Sequence, residues 1–351
     1  MVVSFKYKWD NRNADLSFKT KLAKAQIAMA AEANVVVAKD GSGKYDSIAK
    51  AVAEVPEKNT ERFVIYIKAG VYNERVDIPK GANNVTLIGD GPTNTVITNN
   101  VSVELTQPKP TTFDTATVAV NANNFICKEI GIENTAGPEG HQAVALRVSG
   151  DNATFHNCHF LGYQDTLYSH KGRQFYRDCL ITGTIDFIFG DARAVYQNCT
   201  LKVRKPMENQ SNIFIAQGRK SEESTGGFVF HNCTFSAEED YLPVKDTNKT
   251  YLNRPWKDFA TVVILQCQID DVIQPEAYIP MNGEQGLATS YYVEFGNRGP
   301  GANTEGRAKW PGIKQVDENE AKKFTPGVFL ESETWISSTG IPCTPDMIPG
   351  I

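Results

Sequence analysis

Four clusters of residues stand out as candidates for chemistry, and they contain Gln142, Gln164 with Asp165, Asp186, and Arg254. Asp186 lies inside a run of β-branched and aromatic residues, Gly183 to Gly190, that predicts a short buried strand. Because burial of an unpaired charge is costly, Asp186 needs either a compensating partner or a catalytic role. A structural carboxylate, satisfied by backbone amides or by a buried arginine, is the alternative interpretation.

The other candidates recur at a nearly constant spacing before Asp186. Gln142, Gln164 and Asp186 follow one another at intervals of 22 residues, and Asp165 directly follows Gln164. If each interval is one coil of a solenoid, these side chains lie on adjacent coils about 5 Å apart. Gln164 and Asp165 point to opposite faces of a flat strand, so both can serve one site only if the chain bends there.

The elements that position these residues are repeats that begin near residue 117. Six segments share an aromatic or aliphatic start, a cysteine and an apolar end, and they are Phe125–Ile130, Phe155–Phe160, Tyr176–Ile181, Tyr196–Leu201, Phe230–Phe235 and Ile264–Ile269. Irregular periods with β-forming residues predict a β-solenoid. Stacked coils then place the cysteines in an internal ladder of small buried side chains, with disulfides within the ladder left open.

The rest of the chain gives weaker predictions. We interpret residues 1–33 as an N-terminal extension, with a helix or a loosely docked segment over about 14–33, and residues 34–351 as a single domain. A helix is predicted over residues 46–55, ended by Pro56, and strands over residues 63–67 and 85–88.

Composition excludes several classes of function. The net charge of −5 argues against nucleic-acid binding, which requires basic side chains to neutralise phosphates. No apolar stretch approaches the roughly 20 residues of a membrane span. The 7 cysteines include no Cys-x-x-Cys pair, and His156 and His159 are three positions apart on a predicted strand, so neither set predicts a metal site.

The combined motifs resemble those of the pectin methylesterases, the plant-type enzymes above all. Three sequence segments carry the resemblance: Tyr163-Gln164-Asp165-Thr166-Leu167-Tyr168, Asp186-Phe187-Ile188-Phe189-Gly190 and Arg254-Pro255-Trp256. The similarity extends from about Asn34 to Trp335. It implies an all-β fold, a single-stranded right-handed parallel β-helix (the pectin lyase-like solenoid) with short peripheral helices.

The resemblance also implies a role for each candidate residue. Asp186 is the nucleophile that attacks the C6 methyl ester of a galacturonate, and Asp165 is the general acid and then the base. Gln142 and Gln164 hold the oxyanion, and Arg254 pairs with Asp186. The residues implied in substrate binding are Trp256, Tyr168, Phe189 and Thr112. No cofactor or metal is implied.

The expected partners follow from the same resemblance. The substrate is methylesterified homogalacturonan, and plant-type relatives commonly meet a proteinaceous pectin methylesterase inhibitor. We expect a monomer that binds neither nucleic acid nor membrane and that works in the extracellular cell wall. The first ten residues are too short and too charged for a secretory apolar region, so no export signal is expected in this sequence.

Two positions depart from the family pattern, and two other functions remain open. Asn253 stands where the family usually has glycine, directly before Arg254. Met281 stands where many members carry a second aromatic of the sugar cleft, which predicts weaker stacking on the sugar or an altered preference along the polymer. Two carboxylates on a β-helix could instead hydrolyse a glycosidic bond, as in polygalacturonases. A non-catalytic pectin-binding solenoid is the third hypothesis.

Overall fold

Three parallel sheets form the body of the protein. The structure is a computed structural model that describes residues 26–351. Successive strands visit the three sheets in turn, so that each complete coil contributes one strand to each sheet. Neighbouring strands run parallel within every sheet. The parallel β-helix that the repeats and the resemblance predict is therefore confirmed.

We name the sheets A, B and C. Sheet A has eleven strands, in spatial order β1 (Val35–Val37), β2 (Phe63–Ile67), β5 (Val85–Ile88), β8 (Ile126–Lys128), β11 (Ala153–His156), β14 (Arg173–Arg177), β17 (Arg193–Gln197), β20 (Gly227–His231), β23 (Thr261–Leu265), β25 (Tyr291–Phe295) and β26 (Ile313–Lys314). Sheet B has eight, β3 (Gly70–Asn73), β6 (Thr95–Asn99), β9 (Gly131–Asn134), β12 (His159–Leu161), β15 (Leu180–Gly183), β18 (Thr200–Val203), β21 (Thr234–Ala237) and β24 (Gln268–Ile269). Sheet C has seven, β4 (Val76–Ile78), β7 (Val118–Val120), β10 (Leu146–Val148), β13 (Leu167–Ser169), β16 (Ile188–Gly190), β19 (Asn212–Gln217) and β22 (Thr250–Asn253).

The helices are short and peripheral. They are α1 (residues 26–32), α2 (Ile48–Val52), α3 (Glu318–Lys322) and α4 (Pro326–Phe329), with 3-10 turns at Thr112–Thr115, Pro138–Gly140, Leu242–Val244, Pro300–Ala302, Ser332–Thr334 and Ser337–Thr339. Helix α2 is shorter than the predicted 46–55, because the Ser47 side chain caps its start and the helix ends at Ala53. Most of the predicted extension, 1–33, lies outside the described residues, and the division at residue 33 stays a prediction. No helix among residues 26–351 is long and apolar enough to cross a membrane.

The corner between sheets A and B explains the repeat. One residue of each corner has left-handed backbone geometry, with φ of 48° at Asn157, 55° at Asp178 and 57° at Asn198. Asn and Asp tolerate this conformation better than most side chains, so the polar position before each cysteine is a turn residue. The chain then enters sheet B with the cysteine pointing into the core.

The cysteine ladder differs from the prediction at one position. The register of sheet B places Cys158, Cys179, Cys199, Cys233 and Cys267 on successive coils. Cys127 instead lies in sheet A and pairs with Phe155, because the first repeat reaches its corner, at Glu129, three residues later than the cysteine alignment suggests. All of these thiols are free and buried.

An aromatic stack fills the core beside the cysteines. Phe155, Tyr176, Tyr196 and Phe230 occupy equivalent positions on four coils, with ring centroids 4.9, 4.7 and 4.6 Å apart and nearly parallel planes. All four side chains are fully buried. Stacks of this kind add about 0.5–1.5 kcal/mol per pair beyond the area that they bury. They stabilise the stacking of four successive coils.

Candidate active site

The candidate residues converge on one groove along the outer face of sheet C. The groove has a volume of about 440 Å³, within the usual range for small-ligand sites. Its lining consists of Thr111, Thr112, Phe113, Gln142, Gln164, Asp165, Tyr168, Asp186, Phe189, Ala216, Arg254, Trp256 and Met281. All nine residues singled out by the sequence as catalytic or substrate-binding are among them.

Two turns between sheets B and C carry the aspartates. Asp165 has φ of 65° and Asp186 has φ of 50°, so each side chain leaves the direction of its strand. This is the bend that Gln164 and Asp165 require in order to share a site. The strand expected around Asp186 is therefore interrupted: β15 ends at Gly183, and β16 begins only at Ile188.

Backbone hydrogen bonds hold these turns in register. The amide of Asp165 donates to the carbonyl of Ile185 at 3.0 Å, and the amide of Thr184 donates to the carbonyl of Tyr163 at 3.0 Å. On the preceding coil, the amide of Ala143 donates to the carbonyl of Gln164 at 3.1 Å. The two aspartates consequently occupy equivalent places on adjacent coils.

Asp186 forms a two-pronged ion pair with Arg254. Nε of Arg254 donates to Oδ1 at 2.8 Å, and Nη2 donates to Oδ2 at 2.7 Å. This parallel geometry fixes the plane of the carboxylate and is among the strongest ion-pair arrangements in proteins. Burial raises the pKa of Asp186 above its ordinary value, while the hydrogen bonds and charge of Arg254 act in the opposite direction. Arg254 thus pairs with Asp186 as the resemblance implies, although the effect of burial on the pKa of Asp186 is larger than that of the arginine.

Asp165 lacks a comparable partner. Its side chain is 8% exposed and accepts no hydrogen bond from any residue in the described range 26–351. Burial and the neighbouring negative charge of Asp186 raise the pKa of Asp165 well above its ordinary value, and the charge of Arg254 offsets only part of that rise. The pKa of Asp165 is therefore raised further than that of Asp186, which is the difference needed for one acid and one base.

Gln142 and Gln164 bring two neutral amides to the same groove. Both side chains are half-buried, and neither carboxamide is hydrogen-bonded to another residue of the described chain. Their NH₂ groups are consequently free to donate to an oxygen in the groove. Donors that carry no charge can stabilise a developing oxyanion without changing protonation state.

An aromatic wall flanks the polar residues. The rings of Tyr168 and Phe189 stack with centroids 4.2 Å apart, and Trp256 meets Phe189 edge-on at 5.9 Å. Thr112 lies in a 3-10 turn at the rim, and Met281 lies beside the wall. This wall gives the groove a flat apolar surface against which a sugar ring can lie.

Sequence reasoning missed Phe113. Its ring is 38% exposed at the rim, 6.4 Å from the ring of Tyr168, and the guanidinium of Arg147 lies 3.5 Å from its centroid. It belongs to a loop without periodicity, so no sequence pattern identifies it. Only its exposure beside a groove shows that it belongs to the site.

Several other features lie outside the groove. Asn253 is 1% exposed, pairs with Ile215 in sheet C, and its carboxamide has no hydrogen-bond partner in the described chain. A larger groove of about 730 Å³ borders sheet A near Arg193 and Arg219 but has no aspartate in its lining. Among residues 26–351, no cluster of three His, Cys, Asp or Glu side chains is arranged to hold a metal ion.

Comparison with known proteins identifies a family and several related sequences. The family model described as Pectinesterase matches residues 34–333. A probable pectinesterase/pectinesterase inhibitor of Arabidopsis thaliana is 54% identical over 89% of this chain and 54% of its own length. A pectinesterase of Petunia integrifolia is 52% identical over 89% of this chain and 83% of its own length.

A solved structure extends the comparison to the fold. Pectin methylesterase from carrot superposes with a TM-score of 0.88 at 44% identity, over 90% of this chain and 98% of that chain. The chain spans about half the length of the first Arabidopsis relatives that it matches. The similarity covers the whole β-helix and the groove.

Proposed function

The chain belongs to the pectinesterase family, and we propose that it hydrolyses the C6 methyl esters of galacturonate in pectin to give pectate and methanol. One observation carries this proposal: an aspartate paired with an arginine, a second aspartate without such a partner, and two free carboxamides line one groove. Acyl transfer from an ester needs a nucleophile, an acid and an oxyanion site, and this set supplies all three.

In the first half of the reaction, a carboxylate oxygen of Asp186 attacks the ester carbonyl. The carbonyl oxygen becomes an oxyanion, which accepts hydrogen bonds from the amides of Gln142 and Gln164. The tetrahedral intermediate then collapses, the C–O bond to the methoxy group breaks, and Asp165 donates its proton to form methanol. A mixed anhydride between Asp186 and C6 of the sugar remains.

In the second half, water hydrolyses the anhydride. Asp165, now a carboxylate, removes a proton from water while the water oxygen attacks C6. A second oxyanion forms in the same place, and its collapse breaks the bond to Asp186. The products are a free galacturonate carboxyl group, an ionised Asp186 and a protonated Asp165, so the cycle is closed.

The electrostatics support this assignment of roles. Asp186 must start ionised, and Arg254 lies against both of its oxygens. Asp165 must start protonated, and burial beside Asp186 raises its pKa the further of the two. If the roles were reversed, Asp186 would have to start protonated, although the neighbouring Arg254 favours its ionised form.

The aromatic wall supports a sugar substrate. We assign Trp256, Tyr168 and Phe189 to stacking against the galacturonate rings, and Thr112 to a polar contact at the rim. The stacked rings present the flat apolar surface that such a contact requires.

The place of action and a further partner are also proposed. We infer that the enzyme works outside the cell in the plant wall, where its substrate lies, and that a proteinaceous inhibitor binds it. The Arabidopsis thaliana relative is named as a probable pectinesterase/pectinesterase inhibitor. A monomer would suffice, since the groove is built from one chain.

The test is to measure which bond the purified protein breaks. On highly methylated pectin, methanol should be released in step with free carboxyl groups, with no new reducing ends. New reducing ends and loss of viscosity on pectate would instead support glycosidic hydrolysis. Binding of pectin without either product would leave a non-catalytic solenoid. Asp165→Asn should lower methanol release steeply, because both half-reactions use that carboxyl group.

A further inference from the structure

Arg204 forms hydrogen bonds with the residues at which the two aspartate-bearing turns begin. It follows β18, two coils beyond the strand that leads to Asp165. Its Nη1 donates to the carbonyl of Gly162 at 3.0 Å, and its backbone amide donates to the carbonyl of Gly183 at 2.8 Å. Gly162 opens the turn that carries Gln164 and Asp165, and Gly183 opens the turn that carries Asp186.

The same side chain also supports the ring that follows Gly162. The guanidinium of Arg204 lies 4.2 Å from the centroid of the Tyr163 ring. The carbonyl of Tyr163 in turn accepts hydrogen bonds from the amide of Thr184 at 3.0 Å and from Oγ1 of Thr166 at 3.1 Å. Tyr163 therefore connects the two turns, and Arg204 covers its ring outside the groove.

Two further contacts fix Arg204 itself. Its Nε lies 3.2 Å from a carboxylate oxygen of Glu238 on the next coil, an ion pair without hydrogen-bond geometry, and its backbone carbonyl accepts a hydrogen bond from Nδ2 of Asn212 at 3.0 Å. The planar fork of an arginine can make a carbonyl contact, an ion pair and a ring contact at once, which a lysine cannot. Arg204 does not line the groove, so it does not reach the substrate.

We propose that Arg204 is a positioning residue that holds Gln164 and Asp165 at the correct distance from Asp186. This inference rests on the proposed function, because it assumes that Gln164 and Asp165 act together with Asp186. Asp165 has φ of 65°, a left-handed conformation that Asp tolerates at some cost, so contacts of the turn that carries it help to hold the side chain in place. A shift of about 1 Å at a reacting group can cost about 100-fold in rate.

The test compares Arg204→Met with Arg193→Met as a matched control. Arg193 also places a guanidinium over a ring, 5.1 Å from the centroid of Phe329. It lies in strand β17 of sheet A and does not line the groove. Arg204→Met should lower kcat for methanol release about 100-fold and change KM by less than about twofold. Arg193→Met should leave both constants near those of the native protein. Arg204→Lys should recover part of the lost kcat, since it keeps one donor for Gly162.

A second measurement separates positioning from general stability. Amide hydrogen exchange at residues 163–166 should accelerate in Arg204→Met at a temperature far below unfolding and should stay unchanged in Arg193→Met. The inference is overturned if Arg204→Met retains native kcat, if KM alone changes, or if both methionine variants lose activity equally. Should Arg204→Met fail to fold, native kcat in Arg204→Lys overturns it as well. Absence of methanol release by the native protein would instead refute the proposed function, and the exchange measurement would still report on Arg204.

Discussion

Replacement of Arg254 by glutamine should shift the pH dependence of methanol release to higher pH. The substitution removes the charge and the two-pronged contact at 2.8 and 2.7 Å while keeping an amide near Asp186. Arg254 lowers the pKa of both Asp186 and Asp165, so its loss raises both. The acid limb, which requires ionised Asp186, and the alkaline limb, which requires protonated Asp165, then move in the same direction.

The size of the shift follows from the ion pair. An arginine beside a buried aspartate typically lowers its pKa by about 1–3 units. At a pH below the acid limb, the rate follows the ionised fraction of Asp186, so it should fall about 10- to 1000-fold, or about 1.4–4 kcal/mol. Much of that loss should be recovered at a pH above the new limb. Arg254→Lys keeps the charge but not the fork, and its profile should move less.

The assay is kcat/KM for methanol release across pH, with Arg307→Gln as the matched control. Arg307 forms a buried pair with Glu294, both side chains 6% exposed, outside the groove. Its loss should destabilise the fold without moving either limb. A uniform loss of rate at every pH in Arg254→Gln, with both limbs in place, would refute the view that Arg254 acts by setting the ionisation of the aspartates.

Three further predictions concern single groups of the site. Gln142→Ala should lower kcat about 100- to 1000-fold with little change in KM, and an equal rise in KM with native kcat would show that Gln142 binds the ground state instead. Met281→Trp should lower KM on methylated pectin by extending the aromatic wall; an unchanged KM would remove Met281 from the sugar contact. Asp165→Asn should be more stable than the native protein at pH 7 and equal to it near pH 3.5. Asp165 binds its proton more tightly when folded, so the stability from that proton is present below about pH 4 and is lost as pH rises through the folded pKa. Thermal midpoints at a fixed scan rate would check this, and a lower midpoint for Asp165→Asn at pH 7 would contradict it.

The sequence predicts most of the site because each coil of the solenoid packs directly on the next one in the sequence. Gln142, Gln164 and Asp186 recur at one interval, and parallel coils bring equal intervals to the same place. The sequence likewise predicts that the chain must bend between Gln164 and Asp165 if both serve one site. It does not predict that the bend is made by a left-handed residue at Asp165. Alternation along a strand shows that a bend is needed, but it does not say which residue makes it.

Other features depend on contacts that no spacing reveals. The cysteine pattern places Cys127 in the ladder, whereas the register pairs it with Phe155, because the corner of the first repeat is shifted by three residues. Phe113 reaches the groove only through the folding of an irregular loop over Arg147. Arg204 meets Gly162 across 42 residues of sequence. In each case the decisive partner lies on another coil, so the residue's own neighbours in sequence give no signal.

The assignment of Asp186 as the nucleophile is the central claim, and methanol release by Asp186→Asn tests it most directly. The asparagine has the same shape and remains beside Arg254, so the fold should persist, as circular dichroism would verify. The account expects methanol release from methylated pectin to fall by at least about 10⁴-fold, as for the loss of a catalytic nucleophile elsewhere. Native-like release by that variant would contradict it.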